Sequence, residues 1–159
     1  MTKPIDTWAL DREIVLTRVL DHPRAKVFAA WTDPAALETW YGPAGLAIET
    51  READIRPGGV WRFDMVGTFE GKEQRFDNHM QFLEIVPEER IVVDYGTSDP
   101  ADPDRFRMTV TFDAQGDGKT VLTLRQLHPT AARRQAVIGF GAVEYGFQTL
   151  DGLAAWLDR

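Results

Sequence analysis

Between Asp54 and Met65 the chain runs Asp-Ile-Arg-Pro-Gly-Gly-Val-Trp-Arg-Phe-Asp-Met, and this stretch constrains the fold more than any other. Pro57-Gly58-Gly59 is a tight-turn tripeptide, because glycine enters positive φ at no steric cost. Directly after it, Trp61, Phe63 and Met65 alternate with Arg62 and Asp64. A period of two puts the large apolar side chains on one face of a strand and the charges on the other. An interior lined by aromatic and thioether groups, in a chain without a recognisable catalytic cluster, points first to a container for an apolar molecule.

The rest of the chain supplies partners for that strand. Glu13 to Leu20 is β-rich and reads as the first strand. Asp21-His22-Pro23 ends it, proline suiting a first helical turn, and a short helix follows with Val27, Phe28 and Trp31 on one side. Asp33-Pro34 repeats the device, an acidic cap and then proline, and opens a second short helix to about Trp40. Tyr41 to Gly45 is loop. Strands are then expected over Leu46–Ile55, Val60–Gly67, Gln74–Val86, Arg90–Tyr95, Phe106–Phe112 and Thr120–Leu127. Turn residues at that spacing describe an antiparallel meander.

After the meander the period changes. Ala136, Phe140, Val143, Phe147, Leu150, Ala154 and Leu157 recur at steps of four and three, one face of a helix of more than 20 residues. Such a helix buries its stripe across the concave face of the sheet. The expected class is α+β: a curved antiparallel sheet of six or seven strands gripping a long C-terminal helix, with two short helices after the first strand. One domain is expected over 11–159, behind a flexible lead-in at 1–10.

Composition removes several function classes. A formal charge of −7 leaves no basic patch to release phosphate counterions, so no nucleic acid partner is expected. The chain has no cysteine, which removes disulfides, thiolate metal sites and cysteine nucleophiles. His22, His79 and His128 lie far apart and match no ligand spacing, so neither a metal nor any other cofactor is expected. His22 and His128 each precede a proline and read as turn residues. Met1 to Asp11 lacks a signal-peptide core, and no apolar run approaches the roughly 18 residues of a membrane helix. A cytoplasmic protein without membrane insertion is the expectation.

The candidate site follows from parity. Trp61, Phe63 and Met65 share a face of one strand, as do Phe106 and Met108 on another, while Phe140, Val143 and Phe147 come from the last helix. Asn78 and Met80 share the inward parity of Phe76 and Phe82. Asn78 or Tyr95 would orient a guest, and Trp40 and Tyr41, beside Gly42-Pro43, are candidates for the mouth. Phe82-Leu83 breaks the alternation, so a slip by one would turn His79 inward instead. Gly139 and Gly146 fall on or beside the helix's apolar face. Either they let the helix sit close to a bulky neighbour such as Trp61, or they leave room for a guest; on the second reading, Gly146→Leu abolishes binding and leaves the fold intact. Tyr145 and Trp156, read as outward on the same helix, could build a homodimer, as could an exposed edge strand.

These segments resemble a known family. Arg18–Phe28, Ala30–Pro34, Trp40–Pro43, Asp54–Gly59, Glu84–Ile91 and Gly146–Leu157 look, in order and spacing, like the activator-of-heat-shock-ATPase-homologue (AHSA-like) group of the START-like, helix-grip (SRPBCC) superfamily. The likeness runs over nearly the whole chain from about Asp11. It implies the helix-grip fold, with a cavity between helix and sheet, and supplies no catalytic residues. The chain departs from the pattern at Phe147, where tryptophan is common, and at Met80, where glycine is frequent; both changes would alter pocket shape. Binding of a small hydrophobic or amphipathic ligand, a lipid or an aromatic metabolite, is the leading expectation. A co-chaperone of the ninety-kilodalton heat-shock chaperone is an alternative implied by the family name, although that name comes from a larger protein whose partner-binding domain is not seen in this chain. A cyclase- or dehydratase-like enzyme is the other, and it would need an inward acid or base, for which His79 is the candidate.

Overall fold

The computed structural model describes residues 10–159, so the expected lead-in, Leu10 apart, lies outside the described residues. A single 3-10 turn, Leu10–Arg12, leads into β1 (Glu13–Leu20), α1 (Arg24–Thr32) and α2 (Pro34–Trp40). Six strands follow: β2 (Leu46–Ala53), β3 (Val60–Phe69), β4 (Lys72–Val86), β5 (Arg90–Gly96), β6 (Phe106–Gln115) and β7 (Lys119–Leu127). Two helices, α3 (Ala131–Gly139) and α4 (Ala142–Leu157), complete the chain. The seven strands form one antiparallel sheet in the order β1-β7-β6-β5-β4-β3-β2. The meander therefore runs edge to edge, and β1 closes the row beside β7.

The Pro57-Gly58-Gly59 turn docks on the sheet. Gly58 donates its N–H to Phe82 O at 2.8 Å and Phe82 donates back to Gly59 O at 2.9 Å. A Cβ at Gly59 would lie 2.0 Å from Asp54 O, so only glycine fits. The docking coincides with a register shift between Phe82 and Glu84, a bulge that turns Leu83 to solvent. Because the irregularity falls after residue 82, parity upstream is unbroken: Asn78 points inward, opposite Phe63, and His79 points outward to Arg105.

On the outer face of β3, Asp64 is buried although charged. Its Oδ2 accepts from Arg51 Nη2 and from Arg75 Nη1, both at 2.6 Å. These arginine hydrogen bonds, Arg51's first, hold its carboxyl below the usual carboxylate range.

The helical stripe from Ala136 to Leu157 is divided between two helices. Gly141, at φ 96°, adopts a left-handed conformation that stops α3, and a Cβ there would lie 2.9 Å from the Tyr145 ring. Within α4 the buried face keeps only part of the expected stripe, Leu150 and Leu157. In α4 it is Thr149, Leu150, Leu153 and Leu157 that are buried, while Phe140 is 71% exposed and Phe147 39%. Thr130 caps α3, its Oγ1 accepting from Arg133 N at 3.0 Å. The long C-terminal helix of the fold is thus α4, with α3 set at an elbow before it. Tyr145, expected outward, packs its ring 5.3 Å from Phe69.

Candidate functional site

The space between sheet and helices is filled at one end and hollow at the other. At the filled end α1 and α2 insert an aromatic layer. Trp61 and Phe63 stack on each other at 3.9 Å, and Tyr41 covers them edge-on at 5.3 and 5.8 Å. Trp31 and Trp40 meet edge-on at 4.9 Å, and Trp40 Nε1 donates to Ala30 O at 2.9 Å. Trp61 Nε1 donates to Thr50 Oγ1 at 3.2 Å. The void left among Trp31, Leu37, Trp61, Met80 and their neighbours is about 10 Å³, at most a single water. Here α4 sits directly on α2: a Cβ at Gly152 would lie 2.8 Å from Trp40 O.

Under the α3–α4 elbow no helix fills the layer, and a cavity of about 300 Å³, broadly open to solvent as a cleft, remains. Met65, Phe106, Met108 and Leu124 form its floor, and Val137, Ala142, Tyr145 and Gly146 its roof. Pro43, from the Tyr41–Gly45 loop, forms part of the rim. That loop is tied to α4 by the Ala44 N–H, which donates to Gln148 Oε1 at 3.0 Å. A shallow outer groove of about 400 Å³ continues from the cavity, sharing Pro43, Met65, Val137, Ala142 and Tyr145 with it.

Seven polar side chains interrupt the apolar wall: Tyr41, Asn78, Tyr95, Gln126, His128, Tyr145 and Thr149. Tyr95 donates its hydroxyl to Asn78 Oδ1 at 2.8 Å, and Asn78 Nδ2 donates to Phe76 O at 3.0 Å. The Tyr41 phenol adjoins that of Tyr95; burial pushes Tyr41 up to about 12 and Tyr95 well above its ordinary value, so both stay protonated. His128 is 2% exposed, its ring 4.8 Å from that of Phe106. Burial, then the charges of Arg133 and Arg134, hold its imidazole below the usual range, so it is neutral. Its Nε2 lies 3.1 Å from Gln126 Oε1, which assigns the proton to Nε2. Nδ1 is buried and has no partner among the described residues. The arrangement can desolvate a guest and orient it through neutral hydrogen-bonding groups.

The structure brings together six of the thirteen expected residues: Tyr41, Met65, Asn78, Tyr95, Phe106 and Met108 line the cavity. Trp40, Trp61, Phe63 and Met80 lie in the filled end instead, because α1 and α2 occupy the space above them. Phe140, before the break at Gly141, lines only the outer groove, while within α4 Val143 packs against the core and Phe147 lies on the exposed side of the helix. His79 is not at the cavity. Gly146 is close to a neighbour, but that neighbour is Leu16, whose Cδ1 would lie 2.4 Å from an added Cβ; Gly139 faces open space. The sequence reading missed Gln126, His128 and Thr149. Gln126 continues the inward parity of Leu122 and Leu124, a signal that would have found it. His128, read as a turn residue, instead faces inward, its backbone N–H donating to Arg12 O at 2.9 Å.

Among the described residues no helix is long and apolar enough to cross a membrane, and no cluster of three or more His, Asp or Glu is placed to hold a metal ion.

Comparison with known proteins places this architecture. A protein of Chromobacterium violaceum is 28% identical, the match covering 94% of this chain and 99% of that one, with a TM-score of 0.73. A protein of Nitrosomonas europaea superposes with a TM-score of 0.81 at 24% identity, over 94% of this chain and 96% of that one. The AHSA1 protein of Silicibacter pomeroyi does so at 0.73 and 22% identity, over 92% and 97%. No curated protein matches the chain. The family model of the activator of Hsp90 ATPase homolog 1-like proteins matches residues 21–158. By that match, and with the helix-grip architecture described above, the chain belongs to the AHSA1-like family.

Proposed function

We propose that this protein binds a small apolar or amphipathic molecule in the cavity under the α3–α4 elbow. The observation that carries the reading is the uneven filling of the grip. One end is packed to the scale of a single water, while the other keeps about 300 Å³ behind a mostly apolar wall with a few converging polar groups. That volume and lining are those of small-molecule sites. Desolvation of the guest against Met65, Phe106, Met108 and Leu124 would supply the affinity, at about 25 cal/mol for each Å² of apolar surface removed from water. Asn78, Tyr95, Gln126 and His128 would set its orientation. The loop clipped to Gln148 and the outer groove form the approach.

The test is titration with N-phenyl-1-naphthylamine, an uncharged dye that brightens in apolar surroundings. Micromolar binding is expected for the native chain. In Ala142→Phe, which places a ring in the roof, affinity should fall at least tenfold with the melting temperature within a few degrees. Equal affinity in the two proteins would refute the cavity as the site.

A further inference from the structure

Resting on that reading, we propose that the guest is uncharged: an alcohol, phenol, ketone, ester or amide on an apolar body, and neither a carboxylate nor an amine. Among the described residues, every side chain lining the cavity is neutral, with no Asp, Glu, Lys or Arg. The charged groups around its polar end do not line it: Arg134 Nε donates to Glu13 O at 2.6 Å, Arg133 Nη1 faces Asp104 at 3.7 Å while its buried Nε has no partner among the described residues, and Arg105 is paired with Asp94 at 3.1 Å. Most of the polar groups pair with one another, and what is left over suits a neutral head: His128 Nδ1, buried and without a partner among the described residues, is an acceptor. Tyr95 gives its proton to Asn78, and Gln126 Oε1 faces His128, which leaves the Gln126 amide N–H2 as a donor for a guest. A buried charge without a partner is costly, so an ionisable guest neutralises before it enters. A neutral head needs only the hydrogen bonds that this end offers.

The experiment is displacement of N-phenyl-1-naphthylamine by a matched series: naphthalene, 2-naphthalenemethanol, methyl 2-naphthyl ketone and 2-naphthoic acid, with 1-decanol and decanoic acid as a flexible pair. At pH 7.5 each acid is expected to bind at least 100-fold more weakly than its matched alcohol, since a carboxyl of ordinary pKa is almost wholly ionised there. Between pH 7.5 and 6.0 the acids' apparent affinity should rise about 30-fold, following the protonated fraction, while the alcohols' stays level. The alcohol and the ketone should bind about tenfold more tightly than naphthalene, and Gln126→Met should reduce that margin without changing naphthalene itself.

An acid within threefold of its alcohol at pH 7.5 would overturn this inference and leave the cavity reading intact, because the dye is still displaced. Dye binding without displacement by any member would also overturn it. Failure of the dye to bind at all would remove the cavity reading, and this inference with it.

Discussion

Gly152 separates the packed end of the grip from an ordinary helix surface, and Gly152→Ala measures how tightly α4 is seated. In an unconstrained helix, replacing glycine by alanine is worth up to about 1 kcal/mol in stability. Here the new Cβ would lie 2.8 Å from the Trp40 carbonyl oxygen, several tenths of an ångström inside ordinary contact. That oxygen belongs to backbone that cannot swing aside. It ends α2, which is capped at Asp33 and held by the Trp40 indole on Ala30 O. The helix α4 must therefore lift, loosening Leu150, Leu153 and Leu157, all of them 1% exposed or less. Overpacking of this kind costs about 1–3 kcal/mol, so after the propensity gain a net loss of about 1–2 kcal/mol is expected. For a chain of this size that is a fall of roughly 3–6 °C in melting temperature. Gly139→Ala is the control, since nothing lies within 4 Å of its added Cβ, and it should gain about 0.5 kcal/mol at a helix end. Urea unfolding of the three proteins decides the matter. If Gly152→Ala proves as stable as Gly139→Ala, the close seating of α4 on α2 is wrong.

Other expectations follow from the same geometry. Gly146→Leu should collide with Leu16 and lower the urea midpoint, and adding Leu16→Ala should recover part of the loss; an unchanged midpoint in the single variant would refute the contact. Because the Tyr41 phenol is raised to about 12 in the folded state, its contribution is whole below pH 10 and falls by about 1.4 kcal/mol per pH unit from there towards 12. Melting scans from pH 8 to 11.5 should show a shallower decline for Tyr41→Phe than for the native chain, and parallel curves would contradict the burial argument. Asp64 works in the opposite sense: its carboxyl is lowered, so its contribution is present above about pH 4 and disappears as pH falls through the folded value. Asp64→Asn should therefore be about 1–2 kcal/mol less stable at pH 7, after allowing for half-exposed arginines, and the gap should close in acid.

The sequence by itself determined the sheet. Alternation at Trp61, Phe63 and Met65 and the turn residues between strands specify register, because a slip of one residue would turn an entire apolar face to water. The starts of α1 and α2 were equally legible, since Pro23 and the Asp33 cap before Pro34 act locally. Parity likewise placed Asn78, Phe106 and Met108 on the inner face. What parity could not decide is which part of that face is covered. Trp61 and Phe106 carry the same inward signal, yet one is sealed under α1 and α2 while the other floors a cavity. That choice rests on two glycines acting over long range: Gly152 lets one end of α4 press onto Trp40, and Gly141 turns α3 away from the line of α4. A helical period records which residues share a face, but not where the helix stops or what lies beneath each turn. The hollow was therefore set by tertiary packing, through the fit of four helices to one curved sheet.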